Sequence, residues 1–157
     1  MSSLSSVRSD SFTRFVKEVE TRLQRALVAR YGLDLGQESA AEAMAYAWEH
    51  WDRIQTMANP AGYLYRVATS RSRRIRRPLP MLPQVGASSP VWVEPHLPKA
   101  LKRLSGNQRT AVLLVHSFEY THSEAADVMG IAAGTLRKHL SRGMSKLRSD
   151  LEVADES

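Results

Sequence analysis

Two stretches of this chain concentrate the side chains best suited to grip an anion. From Tyr63 to Pro78, written YLYRVATSRSRRIRRP, an aromatic and aliphatic start gives way to Arg71, Arg73, Arg74, Arg76 and Arg77, five cations within seven positions. From Thr135 to Arg148, written TLRKHLSRGMSKLR, Leu136, Leu140, Met144 and Leu147 recur at helical spacing, with Arg137, Lys138, Ser141, Arg142 and Lys146 between them. Arginine forks match phosphate oxygens and guanine edges in a planar, two-point geometry. A helix that is apolar on one side and cationic on the other packs by the first and can meet a polyanion with the second. The plain alternative, for both stretches, is a solvated helix face or terminus.

Catalysis finds few candidates. There is no Gly-rich phosphate loop and no Ser-His-Asp order, and carboxylates are scattered along helix faces rather than paired. His116, Glu119 and His122 invite a metal reading, but the capping-box pattern Thr121-His-Ser-Glu124 puts the two histidines on different helices. The chain therefore reads as a non-enzyme with no metal and no cofactor. Its formal net charge of +6 and pI of about 10.0 point to nucleic acid or an anionic membrane surface as partner. The absence of cysteine excludes disulfides and thiolate metal sites. No apolar run approaches the roughly 20 residues that cross a bilayer. The opening MSSLSSVRSD is polar and Ser-rich, reads as a tail over residues 1–10 rather than as a signal peptide, and suggests a cytoplasmic protein.

The elements that must position these charges are all helical. The spacing predicts one helix with Phe12, Phe15, Val16, Val19, Leu23, Ala26 and Leu27 inward, broken at Gly32 and Gly36. A second runs from Gln37 to Ile54 with Ala43, Met44, Ala47, Trp48, Trp51 and Ile54 inward, and a third opens at Pro60 with Tyr63, Leu64, Val67 and Ala68. Tyr63 and Tyr65, two apart, cannot share a helix face, so one packs and the other is free. Six of the seven prolines fall between Pro78 and Pro98, which breaks regular structure and reads as an extended linker. Beyond it, Ser105 to Gln108 and Thr121 to Glu124 have capping-box spacing, and Gly130 suits a helix stop. The expected architecture is all-α: a tail over 1–10, a helical domain over 11–77, a linker over 78–98, a second helical domain over 99–153 and a short end over 154–157.

A short helix, a turn containing Gly130 and Ile131, then a basic helix describe helix-turn-helix. Ala125, Ala126 and Ala133 are small, as a close helix crossing requires. On that motif, on Gln108-Arg109, Glu124-Ala125-Ala126, Gly130, Gly134-Thr135 and Leu147, the second half resembles region 4 of sigma-70 family factors. The first half, through DLGQESAAEAMAYAWEHW and NPAGYLYRVATSRSRRIRR, is similar to region 2. With two domains and a linker, the whole resembles the extracytoplasmic-function (ECF) group.

The resemblance implies a chain that binds core RNA polymerase and directs promoter recognition and transcription initiation, with an anti-sigma factor as a further partner. It implies −35 contacts from Thr135, Arg137, Lys138, Ser141 and Arg142. It implies −10 and single-strand contacts from Asn59, Tyr63, Tyr65, Arg66, Ser70, Arg71, Arg73 and Arg74. It implies polymerase contacts from Asp34, Leu35, Gln37, Glu38 and Glu42. Ser70, Arg74 and Ala132 stand where the family often has Asn, Asp and Ser. The residues alone leave two other readings open: a stand-alone helix-turn-helix regulator on duplex DNA, and a polymerase-docking protein that does not melt promoters.

Overall fold

The computed structural model describes residues 2–72 and 96–156, and among them every regular element is helical. Helix α1, Ser2–Tyr31, turns at Gly32 into α2, Leu33–Glu49. Gly32 has φ 91, a left-handed value that favours glycine. Phe12 packs tilted against Trp48 and edge-on against Trp51 with ring centroids 5.0 and 5.3 Å away, while Gly36 lies beside Val28, so the two helices run antiparallel. Gly36 is therefore no breaker. It sits inside α2 because a Cβ there would lie 2.4 Å from Val28 Cα.

The first ten residues, expected as a tail, are the opening turns of α1 from Ser2. Arg8 holds that end down: its Nη2 donates to Trp48 O at 2.6 Å, its Nε lies 3.3 Å from Asp52 Oδ1, and its guanidinium sits 4.2 Å from the Trp48 ring. A Ser-rich stretch with one arginine carries no local signal for this, because the partners lie some forty residues on. The expected second helix breaks at His50, leaving a short α3, Trp51–Ile54, before α4, Pro60–Ser72. Trp51 and Ile54 are buried, whereas Trp48, expected inward, stays 40% exposed under Arg8.

The second half holds α5, Leu97–Arg103; α6, Gly106–Val112, continued by a π-helical turn, Leu113–Ser117; α7, His122–Met129; and α8, Ala133–Glu156. Both expected capping boxes form. Ser105 Oγ accepts from Gln108 N and Thr121 Oγ1 from Glu124 N, each at 3.1 Å, and each N3 side chain accepts a bond from the cap nitrogen in return. The Thr121 amide holds the Glu124 carboxyl below its ordinary pKa. Most of the expected linker lies outside the described residues; its last residues, Leu97 and Pro98, begin α5.

The two halves share one core. Leu23, Leu27, Leu64 and Tyr65 from the first half cluster with Ala111, Leu114, Ala125, Met129 and Leu136 from the second. Polar pins reinforce the seam. Arg109, 6% exposed, donates to Ala29 O at 3.2 Å and Arg30 O at 2.6 Å near the end of α1. It also donates to Leu101 O and Leu104 O at the end of α5. No carboxylate among the described residues faces it. The carbonyls at two helix ends supply the negative potential that lets this cation stay buried. Burial, then the charge of Arg30, lower its pKa. Arg30 in turn donates to Asn107 Oδ1 at 2.7 Å and to the Tyr65 hydroxyl at 3.2 Å.

Candidate nucleic-acid interface

The helix-turn-helix is built locally. Gly130 caps α7 in the left-handed region at φ 66, and Ile131 N reaches back to Ala126 O at 3.0 Å, closing the turn. Ala125 and Ala126 are buried at the crossing with α8. Leu136 and Leu147 are buried, and Leu140 and Met144 pack beside them, so the inner stripe of α8 is as its spacing predicts. Arg137, Lys138, Ser141 and Arg142 lie on the opposite, outward side with Thr135 at its start. None of these five donates to another part of the described chain, so their hydrogen-bonding groups are available. Lys146 is not: its ammonium donates to Arg103 O at 2.7 Å. Gly143 is explained by packing, since a Cβ there would lie 2.8 Å from Val112 Cγ2 where α6 crosses α8. His139, on α8, has a lowered pKa, from burial first and then the charges of Arg142 and Arg30.

The α4 residues divide differently. Tyr65 is 4% exposed with its hydroxyl on Arg30, so it is the packed tyrosine and offers no face to a base. Tyr63 packs at the edge of the core with its hydroxyl turned to Arg53 and Tyr46. Ser70 and Arg71 are exposed; Arg73 and Arg74 lie outside the described residues. Asn59 and Arg66 are exposed but engaged. Asn59 Nδ2 donates to Asp127 O at 2.8 Å, and Arg66 Nη2 donates to Gly130 O. Between them Gly62 meets the helix-turn-helix turn so closely that a Cβ would lie 2.7 Å from Gly130 Cα.

Three residues join Tyr63 that the spacing arguments above do not single out. Arg53 Nη2 donates to the hydroxyls of Tyr46 at 2.9 Å and Tyr63 at 3.2 Å, and the two hydroxyls are 3.2 Å apart. His50 stacks on Tyr46 with ring centroids 4.2 Å apart, and the Arg71 guanidinium lies 4.8 Å from the Tyr46 ring. The Tyr63 hydroxyl lowers the pKa of Tyr46, with Arg53 and Arg71 adding to the effect. Two aromatic rings, a histidine and two arginines in one cluster form a set suited to an unstacked base beside a phosphate. The spacing Tyr46, His50, Arg53 marks one side of a helix and is the available signal.

On α2, Asp34, Gln37, Glu38 and Glu42 are exposed along one outer face, apart from Gln37 on its margin, while Leu35, expected with them, is 9% exposed and packs in the core. Leu35 falls on the inner side because it shares a face with Ser39 and Ala43, both buried. Among the described residues no group of three His, Asp or Glu is placed to hold a metal, and no helix is long and apolar enough to cross a membrane.

Comparison with known proteins agrees with this geometry. The family model for sigma-70, region 4, matches residues 97–147. The RNA polymerase sigma-E factor of Streptomyces avermitilis is 30% identical over 131 residues, spanning 76% of this chain and 72% of that protein. The sigma-E factor of Streptomyces coelicolor is 29% identical over 133 residues, 76% and 73% of the two chains. Among solved structures, the sigma factor RpoE of Bartonella quintana, in complex with the anti-sigma factor NepR, shares the fold at a TM-score of 0.55. It is 21% identical, and the match covers 90% of this chain and 97% of that one. The region 4 match and the 30% identical sigma-E factor, over a fold of two helical halves, establish that the chain belongs to the sigma-70 family of RNA polymerase sigma factors, in its extracytoplasmic-function group.

Proposed function

We propose that this sigma factor, which binds core RNA polymerase and directs it to promoters, reads the −35 element with α8. It engages the −10 element and its displaced strand with the surface around α3 and α4. The outer face of α2, with Asp34, Gln37, Glu38 and Glu42, docks on polymerase. Polymerase performs the chemistry, in the cytoplasm; this chain supplies the address and helps open the duplex.

One observation carries the reading. Thr135, Arg137, Lys138, Ser141 and Arg142 stand together on the outward side of the second helix of a helix-turn-helix whose opposite stripe is packed. Such a helix fits a major groove, where arginine and lysine reach guanine edges and phosphates. On the melting side, Tyr46, Tyr63, His50, Arg53 and Arg71 supply stacking surfaces and cations, and sequence-tolerant stacking of that kind suits a displaced strand.

The test is run-off transcription with core polymerase on promoters from the native genome, beside a gel shift of the free chain on the same DNA. Specific initiation with core enzyme and weak binding by the free chain are expected. Tight duplex binding by the free chain with no initiation would instead mark a stand-alone regulator. Phosphate contacts release counterions, so promoter engagement should weaken steeply as salt rises.

A further inference from the structure

We infer that His50 is the surface on which one base of the displaced strand stacks, as the open end of a column built by Arg71 and Tyr46 and held in place by Arg53. The inference rests on the assignment of the α3 and α4 surface to that strand.

The column follows from the helix period. Tyr46 and His50, four apart, meet on one side where α2 ends. Their rings stack 25° from parallel with centroids 4.2 Å apart. The Arg71 guanidinium, from the last turn of α4, lies 4.8 Å from the centroid of the same Tyr46 ring. Two groups so near one ring must take its two faces, so Tyr46 has none left for a base. The other tyrosines of α4 are closed as well. Tyr65 is buried. Tyr63 packs at the edge of the core, with the Arg53 guanidinium 5.6 Å from its ring centroid. His50 is exposed, and among the described residues no ring or guanidinium covers its outer face. That face is the end of the stack that remains open, and a nucleobase continues the column as its next layer.

The direction of the open face is fixed from behind. His50 Nδ1 lies 3.0 Å from Tyr46 O, and because a carbonyl only accepts, Nδ1 carries the hydrogen. Arg53 is the positioning residue. Its Nη2 donates to the Tyr46 and Tyr63 hydroxyls, which lie 3.2 Å from each other. The two bonds from Arg53 are at the surface, where water offers the same partners, so they add little to folding. What they set is the angle of the Tyr46 ring, and through it that of His50. Nε and Nη1 of Arg53 have no partner among the described residues and can meet the phosphate beside the stacked base. Contact through a ring face does not read the edges that distinguish the four bases, so the column holds a base without identifying it.

The test uses the full-length chain with core polymerase on promoter DNA whose −10 segment is single-stranded, with a base-free sugar placed at each position of that segment in turn. At one position the wild-type complex should lose at least about fivefold in affinity. That loss should vanish with His50→Ala and persist with His50→Phe, which keeps a ring, while losses at other positions stay as they are. Arg53→Gln should leave an intermediate loss there, although every ring remains. Exchanging one base for another at that position should cost less than removing it. A His50→Ala complex as sensitive to base removal as wild type at every position would overturn the inference, since its weakening would then come from folding alone. So would a His50→Phe complex that behaves as His50→Ala. A wild-type complex that opens no native promoter would overturn the assignment of this surface to the displaced strand, and this inference with it.

Discussion

Helices α8 and α4 are both assigned to DNA, and the fold treats them in opposite ways. On α8 the chain packs one stripe and turns Arg137, Lys138, Ser141 and Arg142 away from it, with their donors unspent on the described chain. On α4 and the turn before it, the donors of Asn59 and Arg66 are already spent on the carbonyls that end α7, and Tyr65 is buried. The difference is one of range. The α8 surface follows from the helix period and a turn a few residues long. The α4 surface depends on an element more than sixty residues away. A DNA-binding face can thus be ready from its own sequence, or it can be conditional on the rest of the molecule.

The strongest way to break that contrast is to remove the ready face. Arg137→Glu with Arg142→Glu replaces two cations by two anions. At about 1–3 kcal/mol for each specific contact, the pair should lower promoter binding by the polymerase complex roughly a hundredfold. The salt dependence of binding should become shallower by about two phosphate contacts. Both are read by titrating promoter DNA at several salt concentrations. Unchanged start-site selection would remove α8 from the −35 element.

Next in size is the seam itself. Arg109→Ala leaves Ala29 O, Arg30 O and Leu104 O without the Arg109 donor in a buried site, while Leu101 O keeps its bond from Leu104 N. Orphaning such acceptors costs about 3 kcal/mol or more, which a urea midpoint reports. Arg109→Lys keeps the charge but not the fork, so its stability should fall between those of the wild-type and alanine chains. A loss no greater than that of a surface substitution would mean that the two halves do not depend on this residue.

Much of this contrast is legible in the amino-acid sequence, and the division follows range again. The capping boxes at Ser105 and Thr121, the stop at Gly130, and the alternation along α8 are set by neighbours three or four residues away, and all of them form. The parting of Tyr63 from Tyr65 is equally local; which one packs depends on Arg30, which spacing does not reveal. Gly36 and Gly143 look like weak points because glycine lowers helix propensity. Each is where another helix crosses too closely for a Cβ, a fact held by Val28 and Val112. The amino-terminal turns read as a tail because Asp52 and Trp48, which hold Arg8, are distant along the chain.

A smaller effect separates recognition from melting. Tyr46→Ala removes the ring that stacks on His50, lies near Arg71 and takes a bond from Arg53. Base stacking on an aromatic is worth about 1–3 kcal/mol, so the melted complex should lose roughly tenfold in population. Permanganate reactivity of unpaired thymines measures it. The initial duplex complex, held mainly by α8, should be little changed. Equal loss at both stages would place Tyr46 in folding rather than in melting.

The smallest effect is on acidity, and it probes the two faces together. His139 stands on the recognition helix, yet one cause of its lowered pKa is Arg30, from the other half; burial is the largest cause and Arg142 the second. A histidine whose folded pKa lies below the ordinary value of about 6.5 binds its proton more tightly when unfolded. Stability is therefore complete above about pH 6.5 and falls as pH drops from there toward the lowered value, where the loss levels off. His139→Gln should flatten that slope in urea midpoints taken across the range. The comparison sharpens when the Arg30 charge is removed. With that charge gone, one of the three depressing influences is lost, and the imidazole of the Arg30→Gln chain should titrate closer to its ordinary value. An NMR titration showing the same midpoint in both chains would mean that the Arg30 charge does not reach His139.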